Sequence, residues 1–300
     1  MAEEPRESRV AVSGVELAVY EWPGAGPPIL FAHANSFHGR CWGPVAELLP
    51  GRRRVAFDQR GHGRSDKPAP PYSWPDFGAD LAGLARALGL RGAIGVGHSL
   101  GGYATALAAS LAPELFAALL LVDPVILPPE RYTGRLPGVH GVARRRARWA
   151  SPAAFYERLH AQFPFSRWDP AALRAYCDHG LLPAPDGDGY LLACPPAVEA
   201  DIYHAATEHP IYDAIAAVAV PVTVMRGHPY QLNPAEDLAA SPTSPDLAAA
   251  FPAGRDLHLR DHSHFIPMES PALVARTIAD LTPHPPLRRG EGGPSGARRG

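Results

Sequence analysis

Residues Gly95–Ala104 read GVGHSLGGYA, and no other stretch constrains the fold as tightly. An apolar run, AIGV, leads in, and a small-residue run, YATALAAS, leads out. Ser99 stands between them, with Gly97 two places before it, Gly101 two places after, and Gly102 next. A strand that turns directly into a helix crowds its own backbone, so neighbours without a Cβ are needed. The turn lifts the side chain at its apex clear of the sheet. It also leaves the first N–H groups of the helix unpaired and aimed at one spot. A serine hydroxyl is a poor nucleophile near neutral pH. It needs a base, exposure, and donors for the oxyanion it generates. The bend supplies the last two. Gly97-His98-Ser99-Leu100-Gly101 therefore reads as G-x-S-x-G in a strand–turn–helix setting, with Ser99 as nucleophile. A dinucleotide loop fits less well. Gly95-Val96-Gly97 begins like G-x-G-x-x-G, but Leu100 stands at the sixth position and the strand is not the first in order.

The flanking sequence supports a sheet that could present such a bend. RVAVSG and VELAVYEW read as a hairpin pair turning at Ser13-Gly14. PILFAH is a continuous apolar run, expected of a strand buried on both faces. CWGPVAELLP reads as a helix, RRVAFDQ as a strand, and PDFGADLAGLARALGL as a helix ending at Gly89. GAIGVG, YATALAASLA and AALLLVD continue as strand, helix and strand. This alternation predicts an α/β fold with a mostly parallel sheet and helices on both faces. The regularity breaks after Pro124, where Pro, Arg and aromatic residues dominate and SPAAFYERLHAQF is one helical patch. VPVTVMRG and RDLHLR then read as strands and PALVARTIADL as a closing helix. The expected organisation is a core over 1–124 and 213–282, an insertion over 125–212 lying across the sheet's edge, and a disordered tail over 283–300.

The chain has 300 residues, 46% of them hydrophobic, which allows one sizeable core with a subsidiary lobe. A net charge of −2 gives no global field for nucleic acid or an anionic membrane. No apolar run reaches the roughly 18 residues of a membrane span, and the polar N-terminus lacks a secretory pattern. Three cysteines, Cys41, Cys177 and Cys194, show no metal spacing and are expected to be reduced in a cytoplasmic protein.

Three further stretches make the chain resemble the α/β-hydrolase superfamily. FAHANSF (31–37) follows an apolar strand, as the family's H-G loop does. VAFDQRGHGRSDKP (55–68) is similar to its D-x-R-G-x-G-x-S segment. SHFIPMESP (263–271) is similar to the stretch carrying its catalytic histidine. The resemblance spans roughly residues 9–124 and 217–281. It implies an eight-stranded sheet, a lid after the sixth strand, and a Ser–acid–His triad needing no cofactor and no metal.

On this pattern Ser99 is the nucleophile and His264 the base, with His262 as runner-up. His264 is preferred because Phe265, Pro267 and Glu269 follow it as in the family. The oxyanion donors are expected to be the backbone N–H groups of Leu100 and Asn35. Ala34 occupies the place of the usual H-G glycine. The acid is open. Its usual position, after the seventh strand, holds Tyr230, which cannot carry a charge near pH 7 without an extreme shift. Asp123 at the end of the sixth strand, Glu236 or Asp237, or no acid at all are the alternatives.

Other residues have plainer readings. His33, His38, His62 and His98 are not spaced as metal ligands and are expected in loop hydrogen bonds or packing. Asp58, Arg60 and Asp66 are expected to hold their loop together. Arg144, Arg145, Arg146 and Arg148 read as a solvated helix face. Phe155, Tyr156, Phe163, Phe165, Trp168 and Tyr176 either line an acyl pocket or form the insertion's core. The expectation is a serine hydrolase of carboxylic esters or related acyl compounds, acting on a small apolar or aromatic acyl substrate. A haloperoxidase-like side activity would use the same triad. Aspartate-nucleophile epoxide and haloalkane chemistry does not fit Ser99. The alternative is a ligand binder or receptor on this fold that has lost efficient chemistry. Oligomeric state is not legible.

Overall fold

A computed structural model describes residues 3–138, 140–228 and 239–281. Strands β1 (Arg6–Val12) and β2 (Val15–Trp22) form the expected antiparallel hairpin. β3 (Ala25–Ala32), α1 (Gly43–Glu47), β4 (Arg52–Phe57), α2 (Trp74–Ala87), β5 (Ala93–His98), α3 (Leu100–Leu111) and β6 (Phe116–Val122) follow in alternation. The next stretch holds β7 (Arg148–Trp149), α4 (Pro152–Leu159), α5 (Pro170–His179), β8 (Leu181–Pro183), β9 (Tyr190–Leu192), α6 (Pro196–His204) and α7 (Tyr212–Ile215). The chain then returns with β10 (Val222–Arg226), β11 (Gly254–His258), α8 (Ile266–Glu269) and α9 (Pro271–Asp280).

The main sheet has eight strands in the order β1-β2-β4-β3-β5-β6-β10-β11, and β2 alone runs against the others. From β3 the chain steps outward to β4, then crosses back to β5 on β3's other side. The strand order reverses there, and a crevice opens at the carboxyl ends of β3 and β5. Two apolar clusters cover the faces. One joins β5 and β6 to α1 and α9 through Ile94, Val96, Leu120, Val45 and Ile278. The other holds α2 and α3, with Phe77, Leu81, Leu84, Tyr103 and Leu107. Every residue of β5 is buried, which explains its unbroken apolar run.

Alternation along β5 sets how close α3 can lie. Ile94 and Val96 point into the α1/α9 cluster, so Gly95 and Gly97 point at α3. A Cβ on Gly97 would sit 2.2 Å from the carbonyl oxygen of Gly101 and 2.5 Å from Thr105 Oγ1. On Gly101 it would sit 2.2 Å from the carbonyl oxygen of Ala32. The bend is thus pressed against both β5 and the end of β3.

One expectation for the middle of the chain needs correction. The segment between β6 and β10 does not lie across the sheet's edge. It packs over the carboxyl ends of the strands and shares one cluster with the body: Trp149, Phe155, Trp168 and Tyr176 lie with Ala34, Phe37, Cys41 and Met268. Asp169 caps α5 and donates its N–H to Met268 O at 2.8 Å. The small sheet β7-β9-β8 was also unexpected, because strands of two or three residues are too short for periodicity to register. Most of the aromatic set belongs to this shared core, whereas Phe163 is exposed.

The basic run is not a solvated helix face either. Gly141–Arg144 is a single 3-10 turn and Arg148 opens β7. Arg146 stacks over Trp149, Arg148 pairs with Asp186, and Arg145 is drawn inward to Glu199. The expectations for Tyr230, Glu236, Asp237 and the tail 283–300 lie outside the described residues. No described helix is long and apolar enough to cross a membrane.

Gly97→Ala should force α3 off the sheet and lower stability by about 1–3 kcal/mol in urea unfolding. Gly43→Ala, where an added Cβ meets nothing within 4 Å, should stay within about 0.5 kcal/mol. Equal midpoints for the two variants would contradict the close approach.

Candidate active site

Three residues distant in sequence meet at the crevice. β5 and β6 pair with His98 opposite Val122, so the residues that follow, Ser99 and Asp123, emerge side by side. Both leave their strands at positive φ, 58° for Ser99 and 44° for Asp123. Such backbone is costly for non-glycine residues and persists only where surroundings over-determine it. Here the Ser99 N–H donates to Val122 O at 3.1 Å, and the Asp123 N–H donates to Met225 O at 2.6 Å.

His264 arrives from the loop after β11. Its N–H donates to Ala239 O at 2.6 Å. The same loop is tied by Glu269, which accepts from the Ser263 N–H at 3.0 Å and the Ser263 hydroxyl at 2.7 Å. His264 Nδ1 lies 2.6 Å from Asp123 Oδ2, and Nε2 lies 3.0 Å from Ser99 Oγ. Because a carboxylate only accepts, Nδ1 carries the proton and Nε2 is left to accept from the serine hydroxyl. Ser99 is 7% exposed and Asp123 is wholly buried. His262, the runner-up base, is turned away and bonds the Ser270 hydroxyl at 2.9 Å.

Asp123 is held by more than the imidazole. Its Oδ1 accepts from the Gly227 N–H at 2.7 Å and from the Ser241 hydroxyl at 2.6 Å. These donors satisfy a buried carboxylate that would otherwise be very costly. Sequence reading did not find Ser241, and no local pattern marks it. Gly227 reads as the glycine that ends the VPVTVMRG strand, three places before Tyr230, with nothing local to show that its N–H meets Asp123.

The N–H groups of Leu100 and Asn35 make no hydrogen bond to any described residue. Leu100 opens α3, where the first N–H has no partner within the helix. Asn35 lies in the loop after β3, against which Gly101 packs closely. Both are therefore where a developing negative charge beside Ser99 could be met.

The neighbouring imidazoles are structural. His33 Nε2 accepts from the Gln59 N–H at 2.9 Å, and His62 Nε2 accepts from the Ser36 N–H at 3.0 Å. Burial pushes both down to about 3. His98 is also driven well below the usual range by burial. Its Nε2 donates to His264 O at 2.9 Å. None of the three adds positive charge at neutral pH. Asp58 ties its loop by accepting from the Gly39 and Arg64 N–H groups, both at 2.7 Å. Arg60 pairs with Asp76 and Asp80, and Asp66 with Arg9. The three cysteines are free and buried. Among the described residues no cluster of side chains is arranged to hold a metal.

Comparison with known proteins agrees with this fold. A family model described as the alpha/beta hydrolase family matches residues 29–277. The chain belongs to the alpha/beta hydrolase family. It is 30% identical over 276 residues to 2-(acetamidomethylene)succinate hydrolase of Mesorhizobium japonicum, covering 91% of this chain and 94% of that one. It is also 30% identical over 249 residues to a non-heme chloroperoxidase of Streptomyces lividans, covering 79% and 86%. Lipase LipV of Mycobacterium tuberculosis is 29% identical over 278 residues, covering 88% and 97%. The crystal structure of E-2-(acetamidomethylene)succinate hydrolase superposes with a TM-score of 0.73 at 26% identity, covering 92% of this chain and 98% of that one. This alpha/beta hydrolase is an enzyme of the hydrolase type.

The buried histidines make a pH prediction. Their folded-state values lie below the unfolded value of 6.5. The unfolded chain therefore binds protons that the folded chain refuses. The stability they confer is complete above pH 6.5 and is lost as pH falls toward 3. Urea midpoints should decline steadily from pH 7 to 4.5, and the decline should be shallower in His62→Gln. A midpoint unchanged over that range would contradict the assignment.

Proposed function

We propose that this alpha/beta hydrolase cleaves carboxylic esters or related acyl compounds through an acyl-enzyme on Ser99. The observation that carries the reading is the unbroken chain from Ser99 Oγ through the two nitrogens of His264 to Asp123 Oδ2, at 3.0 Å and 2.6 Å. His264 Nε2 takes the serine proton as Oγ attacks the carbonyl carbon. The N–H groups of Leu100 and Asn35 receive the oxyanion. The imidazolium, held by Asp123, returns its proton to the departing alcohol as the carbonyl reforms. Water then enters, gives its proton to Nε2, and attacks the acyl carbon. Collapse of the second tetrahedral species frees the acid and restores Ser99.

Aspartate in the role of acid answers the difficulty raised by Tyr230. The receptor reading loses its main ground, since the imidazole has a carboxylate partner. The hydrolase and lipase names of the relatives fit water as the final acceptor. We assign the segment over 125–212 the part of a lid. Its aromatic core reaches the site through two rings of the body: Trp168 and Tyr176 meet Phe37 with ring centres 5.7 and 5.1 Å apart, and Trp168 meets Phe265 at 5.3 Å, which in turn meets His264 at 5.5 Å. An apolar or aromatic acyl group fits that wall better than a charged one.

A fluorophosphonate probe should label the protein rapidly, and Ser99→Ala should abolish both labelling and hydrolysis of 4-nitrophenyl esters. Asp123→Asn should lower kcat by about 10⁴-fold, the effect of reversing the tautomer in such a triad. Tyr230→Phe should change it less than about threefold, since His264 already has Asp123 as its carboxylate partner. Equal effects of the last two would remove Asp123 from the triad.

A further inference from the structure

Two residues of the loop after β3 are held from outside the loop. Ser36 sits at φ 75°, a strained conformation for a serine. Its N–H donates to His62, and its hydroxyl accepts from Arg145 Nη1 at 2.8 Å. The same Nη1 donates to Glu199 Oε2 at 2.8 Å, while Nη2 donates to the Tyr176 hydroxyl at 3.4 Å. The neighbouring Asn35 Nδ2 donates to the backbone oxygen of Glu199 at 3.1 Å. Glu199 is 3% exposed. Arg145 follows the 3-10 turn, Tyr176 lies on α5 and Glu199 on α6. Three separate pieces of the inserted segment thus converge on Asn35 and Ser36.

We propose that Arg145 and Glu199 are positioning residues that clamp this loop, so that docking of the inserted segment and aiming of the Asn35 N–H are one event. The proposal rests on the ester-hydrolase reading, in which that N–H is the second oxyanion donor. Neither side chain touches the acyl group. Glu199 neutralises the guanidinium, which therefore does not serve as a receptor for a substrate anion. A buried ion pair suits the task, because parting it strands a charge away from water. The segment then has no favourable half-docked state, and the guanidinium joins His62 in holding the strained Ser36 backbone. A donor must lie within a fraction of an ångström of the developing charge, so small movements of Asn35 cost rate rather than substrate binding.

The test compares the wild type with Ser36→Ala, Arg145→Met, Glu199→Gln and the double variant Arg145→Met/Glu199→Leu. Two readings are taken: steady-state kinetics on 4-nitrophenyl esters, and affinity for an aryl trifluoromethyl ketone, which forms an oxyanion when Ser99 adds to it. Arg145→Met and Glu199→Gln should lower kcat about 10- to 100-fold, the scale of a misplaced catalytic group, with KM nearly unchanged. Ketone affinity should fall in proportion to kcat/KM. The double variant replaces the ion pair with apolar groups and should recover the wild-type unfolding midpoint, yet stay slow. Ser36→Ala, which removes one hydroxyl, should move in the same direction. Wild-type kcat and ketone affinity in the double variant and in Ser36→Ala would overturn the clamp alone. A rise in KM confined to carboxylate-bearing esters would overturn it in favour of a substrate counter-ion. A wild-type protein that neither hydrolyses the esters nor binds the ketone would overturn the hydrolase reading and this role with it.

Discussion

The closeness of α3 to β5 is the constraint on which the rest of the molecule depends. Gly97 and Gly101 remove the side chains that would hold helix and strand apart. The backbone between them must then reverse within one residue, and Ser99 takes the strained conformation that results. Strain of this kind is sustained by surrounding structure, here two apolar clusters on either side of a fully buried strand. The hydroxyl is thereby fixed at the top of the sheet beside an unpaired helix N-terminus.

Sheet register does the remaining assembly. Pairing of β5 with β6 sets Asp123 next to Ser99, and pairing of β6 with β10 brings the Gly227 N–H to the same carboxylate. A wholly buried charge in a water-poor site is tolerable only with donors on every side. Asp123 has a backbone N–H, a hydroxyl and an imidazole. Each of these orients the others. The carboxylate can therefore fix the His264 ring without drifting toward solvent. Around it, burial keeps His33, His62 and His98 neutral, so they add no competing positive charge.

The parts of this arrangement that are local in sequence were readable from it. The bend at Ser99 carries its own spacing, and the loop after β3 and the stretch around His264 were legible through their resemblance to the family's. The mostly parallel sheet followed from alternating strand and helix patterns, and its eight strands from the resemblance to the family. What was left open depends on distance across the fold. Whether Asp123 or a residue after the next strand reaches His264 is decided by sheet register, which one strand's sequence does not contain. Arg145 was misread for the same reason: its partner Glu199 is 54 positions away, and a run of arginines looks solvated until a buried carboxylate is brought to it. Ser241 gave no signal because a single serine in a loop has none. The small sheet β7-β9-β8 is too short to show a period.

The most direct check of the account is the covalent state of Ser99 during turnover. A slowly released ester such as 4-nitrophenyl trimethylacetate should give a burst of one nitrophenolate per protein. Intact mass at the burst's end should rise by one acyl group, and peptide mapping should place it on the peptide containing Ser99. Hydrolysis that proceeds with no acylated protein, or with the acyl group on another residue, would contradict it.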